Sequence, residues 1–561
     1  VTEVVSLKAE EELRFVELEE ASDRRIVERD ADEDKRTDTV LIAEDNPDIT
    51  RLLHIGLRRH FKVVAAENGK NVTIITKTKS LLSGNTPHAQ GGIIFKGRND
   101  SPDSLKSDIL KAGAGSCWEN AIDELIHKGP EYVQKWLIEK FDISFDLNGD
   151  GLHYTSEAAH SDSRIIHVKD QTGKGIQEKI LEVVENNPNI SVLTEHFAVD
   201  LLTLSHHSKN PKDIYKKPAC FGAIVLDMNS TEVFPIEAQN TILATGGLGQ
   251  IYLHTSNPEE AMGDGIAMAW RAGARCFNME YIQFHPTTLF HESGRFLISE
   301  ALRGEGGILV DSQGNEFMHK FHELGSLAPR DVVARGIHQT MLETGHPCVY
   351  LDISFKSESE IKDRFPAIYN KCMETGIDIT KEAIPVVPSA HYSCGGIGVN
   401  LEGRTSLQRL YAIGEVSCTG VHGANRLASS SLLECLVWGI NAGMDVSKDN
   451  EEHNYFPEIW SWKQEFEEID PALIAQDWLT IKNTMWNYVG LIRTRDRLLR
   501  ARTILRHLQS EIEEFYQKAK MTREILELRN GVQTALSIVS ATLESRESRG
   551  THFIQEVELD K

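Results

Sequence analysis

Paired cysteines are missing from this chain. Its cysteines stand at Cys117, Cys220, Cys276, Cys348, Cys372, Cys394, Cys418 and Cys435, with no Cys-x-x-Cys and no repeated spacing. That scatter excludes a disulfide framework and zinc or iron–sulfur ligation, so no metal site is expected. They read as reduced thiols of a cytoplasmic protein, most of them small core hydrophobes. No apolar run is long enough to span a bilayer and no leader-like segment opens the chain, so no membrane role is expected. Positive charge is scarce as well. With 60 Lys and Arg against 84 Asp and Glu, the net charge of −24 disfavours a nucleic-acid partner. A local basic pocket can still override that field for a small anion. Internal repeats and low-complexity segments are absent, and 561 residues exceed what one core holds.

Residues 1–37 are charged and proline-free, which predicts a solvated helix or linker. Residues 38–70 change character. Thr39-Val-Leu-Ile-Ala43 reads as a buried strand and Glu44-Asp-Asn-Pro-Asp48 as a turn. Ile49, Leu52, Leu53, Leu57 and Phe61 then share one face of a predicted helix. Val63-Val-Ala-Ala66 reads as a second strand, closed by Glu67-Asn-Gly69. This segment resembles the opening strand–helix–strand of a response-regulator receiver, in which Glu44 and Asp45 would be the magnesium-binding acids. No later phospho-accepting Asp or Lys follows, so a working receiver is not expected.

From residue 71 the pattern is coherent. Short apolar runs (Asn71–Lys77, Ile190–Leu193, Gly222–Leu226, Asn240–Ala244 and Arg409–Ile413) alternate with helical stretches, as in an α/β sheet. The predicted architecture is α/β: a Rossmann-like domain with an atypical first βα unit, formed by residues 71–264 and 386–450. An α+β cap is inserted at 265–385, and a helical region occupies 451–561, with helices from Trp460, over Leu491–Leu508 and over Met521–Leu543.

Polar clusters gather beside glycine-rich turns in the second half. They read Gln283-Phe-His-Pro-Thr287, Ser299-Glu-Ala-Leu-Arg-Gly-Glu-Gly306, Leu327-Ala-Pro-Arg-Asp331, Ser389-Ala-His-Tyr-Ser-Cys-Gly-Gly396 and Gly414 through Leu432. Buried charges are costly unless paired, so such a gathering marks a site for a charged ligand. Together with Gly84–Gly92, Thr172-Gly-Lys174, Ala244-Thr-Gly-Gly247, Gly263–Trp270 and Glu544–Gly550, they make residues 71–555 resemble the L-aspartate oxidase family. That family is related to the flavoprotein subunits of succinate dehydrogenase and fumarate reductase.

The resemblance implies FAD-dependent oxidation of L-aspartate to iminoaspartate, with oxygen or fumarate as acceptor. It also implies quinolinate synthase, in NAD synthesis, as metabolic partner. The dehydrogenase relatives tether FAD through a His five residues before the Gln of Ala-Gln-Gly-Gly. Asn85 stands there, with His88 out of register, so FAD is expected to be non-covalent. By resemblance, His285, His391 and Arg426 bind the substrate carboxylates, with a hydroxyl from Ser299. Glu157 and Glu300 face the ammonium. Arg330 moves a proton, with Glu300 and Arg303 as relay; an Arg with its high pKa serves more readily as acid than as base. Arg303 could instead simply pair with Glu305, and His422 is expected to lie behind the site. The cofactor contacts implied are Lys77, Gln90, Gly91, Gly92, Ala244, Thr245, Gly246, Gly247, Asp264, Glu415, Ser431 and Leu432. The loop after Glu157 carries Ala158 and Ala159 where the family more often has glycines.

One departure stands out. The family opens with a strand and Gly-x-Gly-x-x-Gly, whose amides hold the FAD pyrophosphate. Here Glu44-Asp-Asn-Pro-Asp48 occupies that place, with no glycine and with Pro47 lacking an amide. Each like-charge contact near ~4 Å would cost about 4 kcal/mol at an effective dielectric of about 20. Weak FAD binding is therefore expected. A soluble fumarate reductase, or a silent fusion without FAD, are the alternatives.

Overall fold

The computed structural model describes residues 39–44, 65–66, 69–79, 92–98, 100–149, 151–157, 159–168, 172–292, 294–448, 455–459 and 467–555. Asp45 to Asp48, the predicted helix of residues 49–61, Asn85, His88, Gln90 and Gly91 lie outside these.

The central sheet is five-stranded and wholly parallel, in the order Leu410–Ala412, Asn240–Leu243, Thr39–Glu44, Asn71–Thr76 and Ile190–Leu193. Thr39–Glu44 takes the middle place, with Ile42 in register between Ile74 and Ile242. The segment that resembles a receiver strand thus serves as the first strand of this sheet. Parallel strands covered on both faces read as continuous apolar runs, which is why these were legible. One face packs on the helix Ser430–Lys448, whose Leu433, Leu436, Val437 and Trp438 join Val72, Ile74 and Ile242 in one core. The opposite side carries an antiparallel sheet of His196–Thr203, Cys220–Asp227 and Val233–Glu237, with Ile75, Ala223 and Val225 packed together.

A four-stranded antiparallel sheet in the order Ile282–Leu289, Ile384–Ser393, Val349–Asp352 and Ile308–Val310 occupies the expected cap, and its strand Ile384–Ser393 runs past the boundary expected at 385. The first two strands run back toward the parallel sheet and deliver His285 and His391. Their register slips between His285 and Thr288, around Pro286. Pro286 has no amide for the ladder, so the strand bulges there and its side chains are re-aimed. Three long helices follow, Pro471–Val489, Arg495–Tyr516 and Arg523–Glu544.

The strand expected at residues 63–66 needs correction at the two residues described there. Ala65 and Ala66 are helical rather than extended. Gly69, at φ +83°, closes that helix by returning its amide to Ala66 O at 3.0 Å, a glycine C-cap that two alanines and Gly69 favour over a strand. The helix expected from Trp460 falls on residues outside those described, and the helix Pro471–Val489 is capped by the Asp470 side chain. Asp followed by Pro at the first helical position sets that start. All eight cysteines are free. Among the described residues no helix is long and apolar enough to cross a membrane, and no acid–His–Cys group is placed to hold a metal.

Candidate active site

His285 and His391 come from the facing cap strands, with ring centroids 5.4 Å apart. His285 Nδ1 lies 3.0 Å from Thr287 O and 3.2 Å from the Thr287 amide, which can donate to it and leave the ring proton on Nε2, and His391 Nδ1 lies 2.8 Å from the Ser256 hydroxyl. Asn257 also donates to the His391 carbonyl at 3.0 Å. Burial holds both imidazoles well below their ordinary pKa, and Arg330 and Arg426 push the same way. Both rings are neutral and can donate only through the nitrogen that carries a proton.

Arg426 is buried, with its guanidinium 4.5 Å above the Tyr392 ring and its Nε without a partner among the described residues. It makes one long bond, 3.4 Å, to Ser431 Oγ. A buried guanidinium with spare donors suits a carboxylate, which takes two parallel N–H bonds.

Arg330 opens the helix Arg330–Thr344, and its Nε pairs with Glu300 Oε2. The other Glu300 oxygen is 3.0 Å from Arg303 NH2, and Arg303 NH1 donates to Ser326 O at 2.8 Å. Arg303 therefore pairs with Glu300, not Glu305, whose carboxylate goes to Lys356 and Arg364. The i, i+3 spacing turns Glu300 and Arg303 to one face, whereas residues two apart diverge. Burial opposes the charge on Arg330, but Glu300 and Glu157 outweigh it and raise its pKa. Glu157 accepts from Ser429 Oγ at 2.8 Å. Ser299 lies beside Glu300, with its hydroxyl accepting the Ala301 amide at 3.3 Å.

Below Arg426 lies a network that the sequence reading missed. Glu434 accepts from Tyr392 OH at 3.0 Å, sits 2.7 Å from His422 Nε2 and also takes the Thr419 hydroxyl. An acid inside the apolar run Leu432–Trp438 was the available signal, since a buried carboxylate demands partners.

A second group of buried polar atoms lies at the carboxyl end of the parallel sheet. Ala244-Thr-Gly-Gly247 follows the strand Asn240–Leu243, and Gly246 stands at φ +74°. A Cβ at Gly247 would meet the Glu415 carboxylate at 2.4 Å, so glycine lets the backbone lie close to that side chain as it stands. Thr245 Oγ1, Gln283 Oε1 and Glu415 Oε2 are buried without partners among the described residues. Burial raises the Glu415 pKa to about 8. Leu432 and Ser431 open the adjacent helix. Gly92 packs against Ile165 and Ile166. Lys77 is fully buried and bonds Asp264 and Glu527, each at 2.8 Å.

Over residues 63–432 the chain matches the family described as FAD binding domain, and over residues 479–559 that described as fumarate reductase flavoprotein C-term. It is 44% identical to L-aspartate oxidase 1 of Ralstonia nicotianae, an alignment covering 86% of this chain and 90% of that protein. The chain belongs to the L-aspartate oxidase family. Within that family it is also 39% identical to the chloroplastic L-aspartate oxidase of Oryza sativa subsp. japonica, over 87% of this chain and 78% of that one. Among solved structures, the FrdA chain of an E. coli quinol fumarate reductase variant superposes with a TM-score of 0.79 at 25% identity, covering 93% and 92% of the two chains. Mycobacterium smegmatis Sdh1 gives 0.74 at 27% identity, covering 92% and 88%.

The cofactor of the L-aspartate oxidase family is FAD, and the residues here fit its ring end. Unpartnered oxygens on Thr245, Gln283 and Glu415, a glycine turn and the amino end of a long helix offer acceptors, space and a positive dipole together. The phosphate end differs in sequence, as set out above, with acids where glycines would be expected after Thr39–Glu44.

Proposed function

We propose that this chain oxidises L-aspartate to iminoaspartate, using FAD held without a covalent tether and oxygen or fumarate as acceptor. The observation that carries this reading is one buried cluster that holds both signs of charge. Neutral His285 and His391 lie within the influence of cationic Arg330 and Arg426, and the acids Glu300 and Glu157 act on Arg330. An amino dicarboxylate needs both. FAD, when bound, supplies the hydride acceptor.

Arg426 takes one substrate carboxylate in a bidentate fork, and the Tyr392 ring beneath fixes the plane of its guanidinium. His285 and His391 donate to the carboxylates without adding positive charge, with Ser299 providing a hydroxyl. Glu157 takes the ammonium. Arg330 rests as a guanidinium and donates. A proton it gives from its substrate-facing nitrogen would be restored through Glu300, the carboxylate held between it and Arg303. Lys77, Gln90, Gly91, Gly92, Ala244, Thr245, Gly246, Gly247, Asp264, Glu415, Ser431 and Leu432 are proposed to line the cofactor. Quinolinate synthase, in the cytoplasm, is the proposed consumer of iminoaspartate.

The test is turnover of purified protein supplied with FAD. Peroxide formed from L-aspartate, lost about 10²–10⁴-fold in kcat in Arg330→Met, is expected. A protein that oxidises succinate and leaves aspartate untouched would be the dehydrogenase-like enzyme instead, which the likeness to the fumarate reductase chain keeps as the second reading.

A further inference from the structure

Arg164 is completely buried and its guanidinium is saturated. It holds Asp100 through two bonds, 2.8 and 2.9 Å, and Asp108 through one of 2.6 Å. It also donates to Ser104 Oγ at 2.9 Å and to Ser161 Oγ at 3.3 Å. Ser161 returns to Asp108 through its amide and hydroxyl, both at 2.8 Å. This knot ties the base of the loop 155–165 to the helix Pro102–Ala112. Breaking a buried ion pair is expensive, so the base of the loop is a fixed point.

His160 stands at the top of that knot. Its Nδ1 lies 3.2 Å from Arg164 NH1, and its Nε2 lies 2.9 Å from the carbonyl of Ala428. A guanidinium can only donate and a carbonyl can only accept. The ring must therefore be neutral, with its lone pair on Nδ1 and its proton on Nε2. Burial, then Arg164, keep it below its ordinary pKa, against the Ala428 carbonyl, Glu157 and Asp108. The next residue along, Ser429, donates its hydroxyl to Glu157 Oε2 at 2.8 Å, while the His160 amide donates to Glu157 O at 3.2 Å. Two rungs thus join the loop to residues 428–429, two and three positions beyond Arg426. Ser429 holds φ +56°, a conformation that persists only while its neighbours enforce it.

We propose that His160 is a positioning residue for Glu157, and that the clip it forms between Arg164 and the Ala428 carbonyl makes the site prefer an amino dicarboxylate over a plain one. The inference rests on the aspartate reading above. Arg426, His285 and His391 serve any dicarboxylate. Only a ligand bearing an ammonium uses Glu157, so loosening the clip penalises that ligand alone.

The experiment compares wild type with His160→Ala, His160→Gln and Ser429→Ala, each as the full chain loaded with FAD. It reads the KM and kcat for L-aspartate, the KM for fumarate with a reduced dye as donor, and the inhibition constant of succinate against aspartate. Loss of one charge-assisted contact predicts that the KM for aspartate rises about tenfold in His160→Ala and Ser429→Ala, while fumarate and succinate constants change less than about twofold. His160→Gln keeps an N–H for the Ala428 carbonyl and recovers most of the loss. A parallel rise in all three constants, or a fall in kcat at unchanged KM, overturns the clip. Ser429→Ala decides the matter if His160→Ala does not fold. A wild type that turns over fumarate but never aspartate sinks the functional reading itself, and the inference with it.

Discussion

At the residue scale, Glu415 shows what the site demands. One of its oxygens accepts the Ser393 amide at 2.9 Å and the other is buried without a partner among the described residues. Burial raises its pKa to about 8 from the ordinary 4.5. The unfolded chain releases this proton near 4.5, whereas the folded flavin-free protein holds it until about 8. Stability therefore falls as pH rises through that window, by about 1.4 kcal/mol per pH unit, and is flat on either side. Denaturant unfolding of flavin-free wild type and Glu415→Gln across the window checks this. The substitution is expected to remove much of the fall, and an unchanged slope refutes the assignment. The residues proposed to bind carboxylates were legible because His, Arg and Glu beside glycine turns are unusual in a core. Ser256, Ser429, Tyr392 and Glu434 were not, because each meets its partner side chain only in the fold, nor was His160, which meets the Ala428 carbonyl only there. Ala159 is a partial exception. It adopts φ +69°, the left-handed region that the family's glycines favour.

Among elements, the helix Arg523–Glu544 is tied to the parallel-sheet region by buried polar bonds. Its Glu527 accepts from buried Lys77 and from Arg523, each at 2.8 Å, and its Asn530 donates to Asp264 at 2.7 Å. The helix thus closes over the end of the strand Asn71–Thr76, beside the proposed cofactor contacts Lys77 and Asp264. Replacing Glu527 with Leu leaves Lys77 one acid short in a buried place, and a loss of about 3 kcal/mol is expected by denaturant unfolding. A loss below about 0.5 kcal/mol would mean the pairing is incidental. The elements themselves were read well where apolar runs are continuous, as in the parallel strands. They were read poorly where a cap or glycine decides. Ala65 and Ala66 belong to an apolar run fit for a strand, but both are helical, with Gly69 returning its amide to Ala66 O.

For the whole molecule, the question is how a chain of net charge −24 holds a dinucleotide without the glycine turn. Thr39–Glu44 lies at the centre of the parallel sheet, the place from which phosphates are ordinarily held. Acids follow it in sequence where the family has glycines and are expected to repel the pyrophosphate, while the ring end offers acceptors unpartnered among the described residues and a helix start. FAD affinity should therefore rise as salt screens the acids, the reverse of a dinucleotide held by cationic contacts. The most direct test is a titration of FAD with the purified full chain, followed by flavin fluorescence and then by addition of L-aspartate without oxygen. Saturable quenching and bleaching of the flavin by L-aspartate are predicted. FAD that stays free at every protein concentration, with aspartate unchanged, would contradict the account.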